Sequence, residues 1–355
     1  MGGYGVAIVG HCNPYVVDAI KNQTKKLITC HASIYNDTRA ALLEKIIKVS
    51  PKGLEKVYLS NSGAESVECA LKLARKYSKR PGVIAMTRSY HGKTLGALST
   101  TWNKKYRSAF EPLIPEIKFT PFGDAEKVRE AITEKTGAII VEPIQGEGGV
   151  NVPPHGFLKE LREICYDKDL LLIFDEIQTG FGRTGKMWAC EHWKVIPDIM
   201  CLAKGIGGGL PLGATLAKQE VMSAFNVGDH TSTFGGNPLS CAAACATIDY
   251  ILEKKIVERA VELGSVFKEG LENLQKKHQI VREVRGLGLM LGMELRFDIR
   301  DILIGGVEKG LIMLYSGRNI LRFLPPLVIS RNQIHKATEI LDLLISKEEE
   351  SRIKS

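Results

Sequence analysis

An α/β fold is predicted, with a mostly parallel sheet flanked by helices and a smaller α+β lobe toward the carboxyl end. Three observations carry this. From about residue 55 to 217, short apolar runs alternate with helical stretches, the pattern of strand–helix–strand units. After about residue 237, two helical runs lead into strands and helices in a different order. At 355 residues, the chain exceeds the roughly 250–300 at which a single core stops growing, so two lobes are expected.

Taken in order, residues 13–49 read as helical without a large core of their own, and are expected to dock on the small lobe or between the lobes. Strands are predicted near 56–60, 82–86, 117–120, 138–141, 170–175, 198–201 and 213–217. A helix over 64–78 brings Val67, Ala70, Leu71, Ala74 and Tyr77 onto one face. The small lobe takes strands near 281–286, 288–294, 311–315 and 319–324, with helices near 300–309 and 331–347. The end from Lys347 to Ser355 reads as a frayed, solvated tail. The domain limits that follow are 1–50 for an amino-terminal segment, 51–255 for a large domain and 256–355 for a small carboxyl-terminal domain.

Composition narrows the function classes. Charged residues at 25% and hydrophobic residues at 44% fit a soluble globular protein and not a disordered or fibrous one. No apolar run reaches the roughly 18–20 residues of a membrane span and no signal-peptide pattern opens the chain, so a cytoplasmic protein without a membrane partner is expected. The eight cysteines lack the paired spacings of a zinc site or disulfide framework, and no metal is expected. The formal charge of +8 is spread along the chain without interleaved aromatics. It predicts no nucleic-acid partner, and leaves a solvated basic surface or an acidic macromolecular partner open.

The chemistry is concentrated where strands end, since ligands in open sheets bind beyond the carboxyl ends of the strands. The apolar run Leu170-Leu171-Leu172-Ile173-Phe174 delivers Asp175-Glu176-Ile177-Gln178, and Lys204 follows the next strand. An acid there can keep a pyridine nitrogen protonated and a lysine can form a Schiff base with an aldehyde, which together read as a pyridoxal phosphate site. Ser60-Asn61-Ser62-Gly63-Ala64-Glu65 fits a capping box, and its small Gly63-Ala64 pair can also bring N–H groups to a phosphate. In Tyr90-His91-Gly92-Lys93-Thr94, the Tyr90 ring can stack on a flat cofactor and Lys93 can receive a substrate carboxylate.

Glu142 and Glu147 enter the same crevice, one to cap a turn and the other to do chemistry. The Ser232-Thr233-Phe234-Gly235-Gly236-Asn237-Pro238 loop offers hydroxyls for a phosphate or for a turn. Arg322 interrupts an apolar strand and must be paired, with Glu147 or a substrate carboxylate as candidates. Gly180 through Lys186 has the spacing of a nucleotide P-loop, but Met187 replaces the required Ser or Thr, so nucleotide hydrolysis is rejected.

Read together, these motifs resemble in order the class III, ω-amino-acid aminotransferases over nearly the whole chain. Lys204-Gly205-Ile206-Gly207-Gly208-Gly209-Leu210-Pro211 and Arg282-Glu283-Val284-Arg285-Gly286-Leu287-Gly288-Leu289-Met290 look most like acetylornithine aminotransferases. Thr101-Trp102-Asn103-Lys104-Lys105-Tyr106-Arg107 looks like archaeal relatives that act on amino acids attached to an acidic amino-group carrier protein. The resemblance implies fold type I, pyridoxal 5'-phosphate and a homodimer with sites at the subunit interface. It implies Lys204 bonded to the cofactor, Asp175 on the ring nitrogen and Gln178 on the ring hydroxyl. Ser62, Gly63, Ala64 and the partner's Thr233 would hold the phosphate, Tyr90 would stack, and Glu176 and Ile177 would complete the cofactor wall. Lys93, Glu147, Ser232 and Arg322 fall on the substrate side, with 2-oxoglutarate as amino acceptor.

Two departures stand out. Lys93 occupies the place of the family's arginine, substituting a point charge for a planar fork. The opening Gly3-Tyr4-Gly5-Val6-Ala7-Ile8-Val9-Gly10-His11 resembles a segment well inside family members, so an early strand and part of the small lobe are expected to be absent. The expected activity is amino transfer from an N-blocked or carrier-linked ornithine- or lysine-type amine, in arginine or lysine biosynthesis. A 4-aminobutyrate or free ornithine aminotransferase is the enzyme alternative, and a non-catalytic binding protein of the same fold is the other.

Overall fold

The structure, a computed structural model, describes residues 2–353. Seven strands form the main sheet: β1 (Lys56–Ser60), β2 (Gly82–Met86), β3 (Ile117–Thr120), β4 (Thr136–Val141), β5 (Leu171–Asp175), β6 (Ile199–Leu202) and β7 (Gly213–Ala217). Their order is β1-β7-β6-β5-β4-β2-β3. β7 is antiparallel to both neighbours and every other pairing is parallel.

Successive residues of a strand face opposite sides of the sheet, and here both sides are buried. Ile140, Ile173 and Ile199 pack under the Gly63–Ser78 helix. Their neighbours Ile139, Leu172 and Met200 face the second, larger core on the other side. Helices on both faces explain why these strands read as apolar throughout. Ser66 ties the Gly63–Ser78 helix to the sheet, donating to the Ala214 carbonyl at 2.6 Å. On that helix Val67, Ala70, Leu71 and Ala74 are buried as expected, whereas Tyr77 is exposed.

The small lobe carries an antiparallel sheet ordered β10-β11-β9-β8, with β8 (Val281–Leu287), β9 (Met290–Leu295), β10 (Leu314–Ser316) and β11 (Ile320–Phe323). β10 begins later than the sequence pattern suggests. Leu311 N–H bonds back to the Gly306 carbonyl and Gly310 adopts φ 78°, so the residues after the Arg300–Glu308 helix are spent leaving it.

Two expectations are corrected. The helices Pro14–Thr24 and Asp37–Val49 pack on the Pro238–Glu253 helix and not on the small lobe. The Tyr15 and Tyr250 rings meet edge-on at 5.1 Å and Lys45 pairs with Asp249 at 2.6 Å. The tail is not frayed as far as it is described: helix continues to Ile353, and Glu349 Oε2 lies 2.9 Å from Nδ1 of the buried His278. Lys354 and Ser355 lie outside the described residues.

The rejected P-loop segment joins the lobes. Buried Arg183 donates to the carbonyls of Leu289 and Pro325, and its own carbonyl accepts from Leu289 N–H. Among the described residues no helix is long and apolar enough to cross a membrane, and no group of three His, Cys, Asp or Glu could hold a metal ion.

Candidate active site

The carboxyl ends of β1, β2, β4, β5 and β6 open onto one cavity of about 480 Å³. Its lining includes Ser62, Gly63, Ala64, Tyr90, Lys93, Glu147, Asp175, Ile177, Gln178 and Lys204. One crevice therefore gathers most of the residues singled out from sequence. β5 and β6 run parallel with Asp175 opposite Cys201, which sets Lys204 three residues further along the neighbouring strand.

Lys204 has φ 47°, a left-handed conformation uncommon for a residue with a side chain. Its ammonium has no ion pair among the described residues. Burial lowers its pKa and nearby Arg322 acts in the same direction, while Glu147 and Asp175 oppose them. An amine held in this way is biased toward its nucleophilic neutral form.

Asp175 is anchored from two sides. Oδ1 accepts from Ile177 N–H at 3.0 Å and Oδ2 lies 2.7 Å from His91 Nδ1. The buried His91 Nε2 and Gln178 Oε1 have no partner. Gln178 lies so close over Gly146 that a Cβ there would sit 2.0 Å from its Oε1.

At the end of β1 the expected capping box is half formed. Ser62 Oγ accepts from Glu65 N–H at 3.2 Å, but the Glu65 carboxylate reaches past Ser62 to the Asn61 N–H and side-chain amide. The Gly63 and Ala64 N–H groups are left without an acceptor among the described residues, at a helix start facing the cavity. Two free donors and the positive end of a sixteen-residue helix suit a phosphate.

The two acids divide their work. Glu142 is the turn-former: Oε1 accepts from Tyr90 N–H and Oε2 from Gly146 N–H, at 3.0 and 2.9 Å. Burial is the main cause raising its pKa to about 7, with Asp175 adding to the rise and His91 opposing it. Glu147 faces the cavity and accepts from Arg322 Nη2 at 2.9 Å. Arg322 is fully buried on β11, and its Nε and Nη1 have no partner.

Two of the candidates, Glu176 and Ser232, are not brought into this chain's cavity, and Thr233, expected to serve the partner's site, lies outside it as well. Glu176 turns away into the core, accepting from Thr179 Oγ1, Ala189 N–H and Cys190 N–H. Its side chain holds the Ala189–Cys190 turn and is absent from the cavity lining. Ser232 and the exposed Thr233 are absent from this chain's cavity lining. Ser232 accepts from Asn61 Nδ2 and caps a turn at Gly235 N–H.

Sequence reasoning assigned no role to His91, although it stands inside a quoted motif, nor to Val6 and Tyr4 of the opening segment, which have no polar signature. Val6 lines the cavity, and Tyr4 lines a second chamber of about 720 Å³ that shares Tyr90, Lys93, Glu147 and Lys204 with it.

A model of the aminotransferase class-III family matches residues 1–345. The chain belongs to that family. This class-III aminotransferase is 48% identical over 346 residues to an acetylornithine aminotransferase of Methanopyrus kandleri, covering 96% of this chain and 88% of the relative. A Methanocaldococcus jannaschii protein of the same description is 46% identical over 348 residues, covering 96% and 87%. Among solved structures, the ornithine aminotransferase of Toxoplasma gondii ME49 superposes with a TM-score of 0.94 at 35% identity, covering 99% of this chain and 86% of that one. The aminotransferase is thus a pyridoxal-phosphate-dependent transaminase with the fold of its class, which sets aside the non-catalytic reading. The free Gly63 and Ala64 donors, the anchored Asp175, the unpartnered Gln178 oxygen and the unpaired Lys204 fit that cofactor.

Proposed function

We propose that the enzyme moves the terminal amino group of an N-blocked ornithine-type amino acid, N-acetylornithine first among them, to 2-oxoglutarate in arginine biosynthesis. The 48% identity to an acetylornithine aminotransferase across 96% of the chain carries this reading. A carrier-linked donor in lysine biosynthesis remains the extension that the basic charge supports. Free ornithine is the second reading, favoured by the 0.94 superposition on an ornithine aminotransferase.

Pyridoxal phosphate, when bound, supplies an aldehyde for amines and a ring that withdraws electrons. The chain's residues do the rest. Lys204, desolvated and unpaired, would anchor the cofactor covalently and, once displaced by the donor amine, would take the proton from the amine-bearing substrate carbon and return it to the cofactor's aldehyde carbon. Asp175, held rigid by His91 and Ile177 N–H, keeps the ring nitrogen protonated. Gln178 would take the ring hydroxyl, Gly63 and Ala64 would bind the phosphate, and Ile177 and Tyr90 would confine the ring. Glu147 neutralises Arg322 while the donor is bound and yields it to the second carboxylate of 2-oxoglutarate.

The partner of this scheme is a second copy of the chain, with Thr233 crossing to the other subunit's phosphate. The apolar Leu95, at the start of the Leu95–Thr100 helix, and Phe234, on the loop after Thr233, are each 61% exposed and suited to such an interface. We further infer the 51–255 domain as the cofactor lobe and a cytoplasmic location. The test is the visible spectrum of the cofactor-loaded protein as N-acetylornithine, ornithine, 4-aminobutyrate and carrier-linked substrate are added in turn without acceptor. Discharge by N-acetylornithine at the lowest concentration is expected; preference for ornithine or 4-aminobutyrate overturns the reading.

A further inference from the structure

The second chamber contains a cation that the reaction scheme leaves unused. Arg88 follows β2 with φ 64°, a left-handed conformation uncommon for a residue with a side chain. Its neighbours leave the backbone little choice. Ser89 N–H bonds to the Met86 carbonyl, Ser89 Oγ donates to the Thr100 carbonyl at 2.8 Å, and Tyr90 N–H is held by Glu142. From across the chamber Gly148 packs on this turn so closely that a Cβ would meet the Arg88 carbonyl at 2.5 Å. Arg88 thus stands on a pinned loop in the lining of the chamber.

No described residue neutralises it. The exposed Arg88 has no side-chain hydrogen bond or ion pair among the described residues, and it lines the chamber with Lys93, Glu147 and Glu294. Both acids are already taken. Glu147 pairs with Arg322, and Glu294 accepts from Arg282 and Arg285 at 3.1 and 2.8 Å. Lys93 lies 4.8 Å over the Tyr106 ring, a contact that occupies its ammonium in part. The chamber thus presents a planar two-pronged donor beside a point charge, between the aromatic side chains of Tyr4, Trp102, Tyr106 and Tyr315.

We propose that Arg88 is a specificity residue that binds the donor's carboxylate, the one remote from the reacting amine, and that it supplies the forked recognition Lys93 cannot. This deepens the reading above and rests on it only for the identity of the donor. A carboxylate gains parallel hydrogen bonds from a guanidinium that an ammonium does not offer.

The test compares donors with and without that carboxylate on the cofactor-loaded enzyme: N-acetylornithine against N-acetylputrescine, and ornithine against putrescine. Alongside, calorimetry measures binding of N-acetylnorvaline, which keeps the free carboxylate and the acetylated α-amine but has no terminal amine to react. Arg88→Gln is expected to raise the half-saturating concentration of the carboxylate-bearing member of the accepted pair about tenfold to a hundredfold. It should leave the decarboxylated member within about twofold, with Arg88→Lys falling between. For an N-acetylornithine enzyme, N-acetylnorvaline binding should weaken by the same factor. Equal loss on both members of a pair, or no change on either, overturns the proposal. A wild-type preference for ornithine over N-acetylornithine instead overturns the donor assignment, and Arg88 is then judged on the ornithine and putrescine pair.

Discussion

Arg322 on a strand of the small lobe donates to Glu147 on a loop of the large lobe at 2.9 Å, and two of its three guanidinium nitrogens have no partner. A fully buried arginine satisfied at one nitrogen only is poised to accept a second anion, since each unmet charged donor is costly.

Arg322→Gln should therefore raise KM for 2-oxoglutarate about tenfold to a hundredfold while changing discharge by the amine donor much less. Steady-state kinetics with both substrates varied, beside single-turnover donor kinetics, measure the split. Equal damage to both half-reactions would falsify the assignment.

The Glu142 carboxyl predicts a pH dependence. Its folded pKa of about 7 exceeds the ordinary 4.5 because of burial first and Asp175 second. The folded state therefore holds the proton more tightly than the unfolded chain. The stability this contributes is complete below about pH 4.5 and is lost as pH rises through about 7. Glu142→Gln stays neutral throughout, so the wild-type melting temperature should fall relative to the variant across that window and run parallel above it. A difference independent of pH would sink this account.

Glu176→Ala should destabilise the fold by about 3 kcal/mol or more, because it strands the donors of Thr179, Ala189 and Cys190 in the core at about 1–3 kcal/mol each. Urea unfolding with and without pyridoxal phosphate measures it. Because the side chain faces away from the cavity, cofactor affinity of the folded variant should remain near wild type; a selective loss of affinity would restore Glu176 to the cofactor wall.

Gly146→Ala should act through Gln178. A methyl placed 2.0 Å from Oε1 must displace that side chain, weakening cofactor binding roughly tenfold for one lost hydrogen bond. Fluorescence titration of the apoprotein is the measurement, and Gln178→Ala is the comparison. If the two variants differ widely in affinity, the glycine has another role.

The five inner strands of the main sheet could be read from the chain because each is buried on both faces, so apolar runs such as Leu171–Phe174 have no competing explanation. Asp175, Gln178 and Lys204 were legible because chemistry-bearing side chains follow such runs directly, at the sheet edge where ligands bind. Position in the chain decided those residues before any folding was considered. Other features depend on contacts distant in sequence. Glu142 and Glu147 are equivalent by motif, and only the approach of the Tyr90 N–H to one and of Arg322 to the other separates turn from chemistry. Glu176 sits between two cavity residues, yet strand alternation and the Ala189 and Cys190 donors turn it inward. The freedom of Arg88 depends on every nearby acid having been claimed by another arginine, a balance of charge that exists only once both lobes have packed.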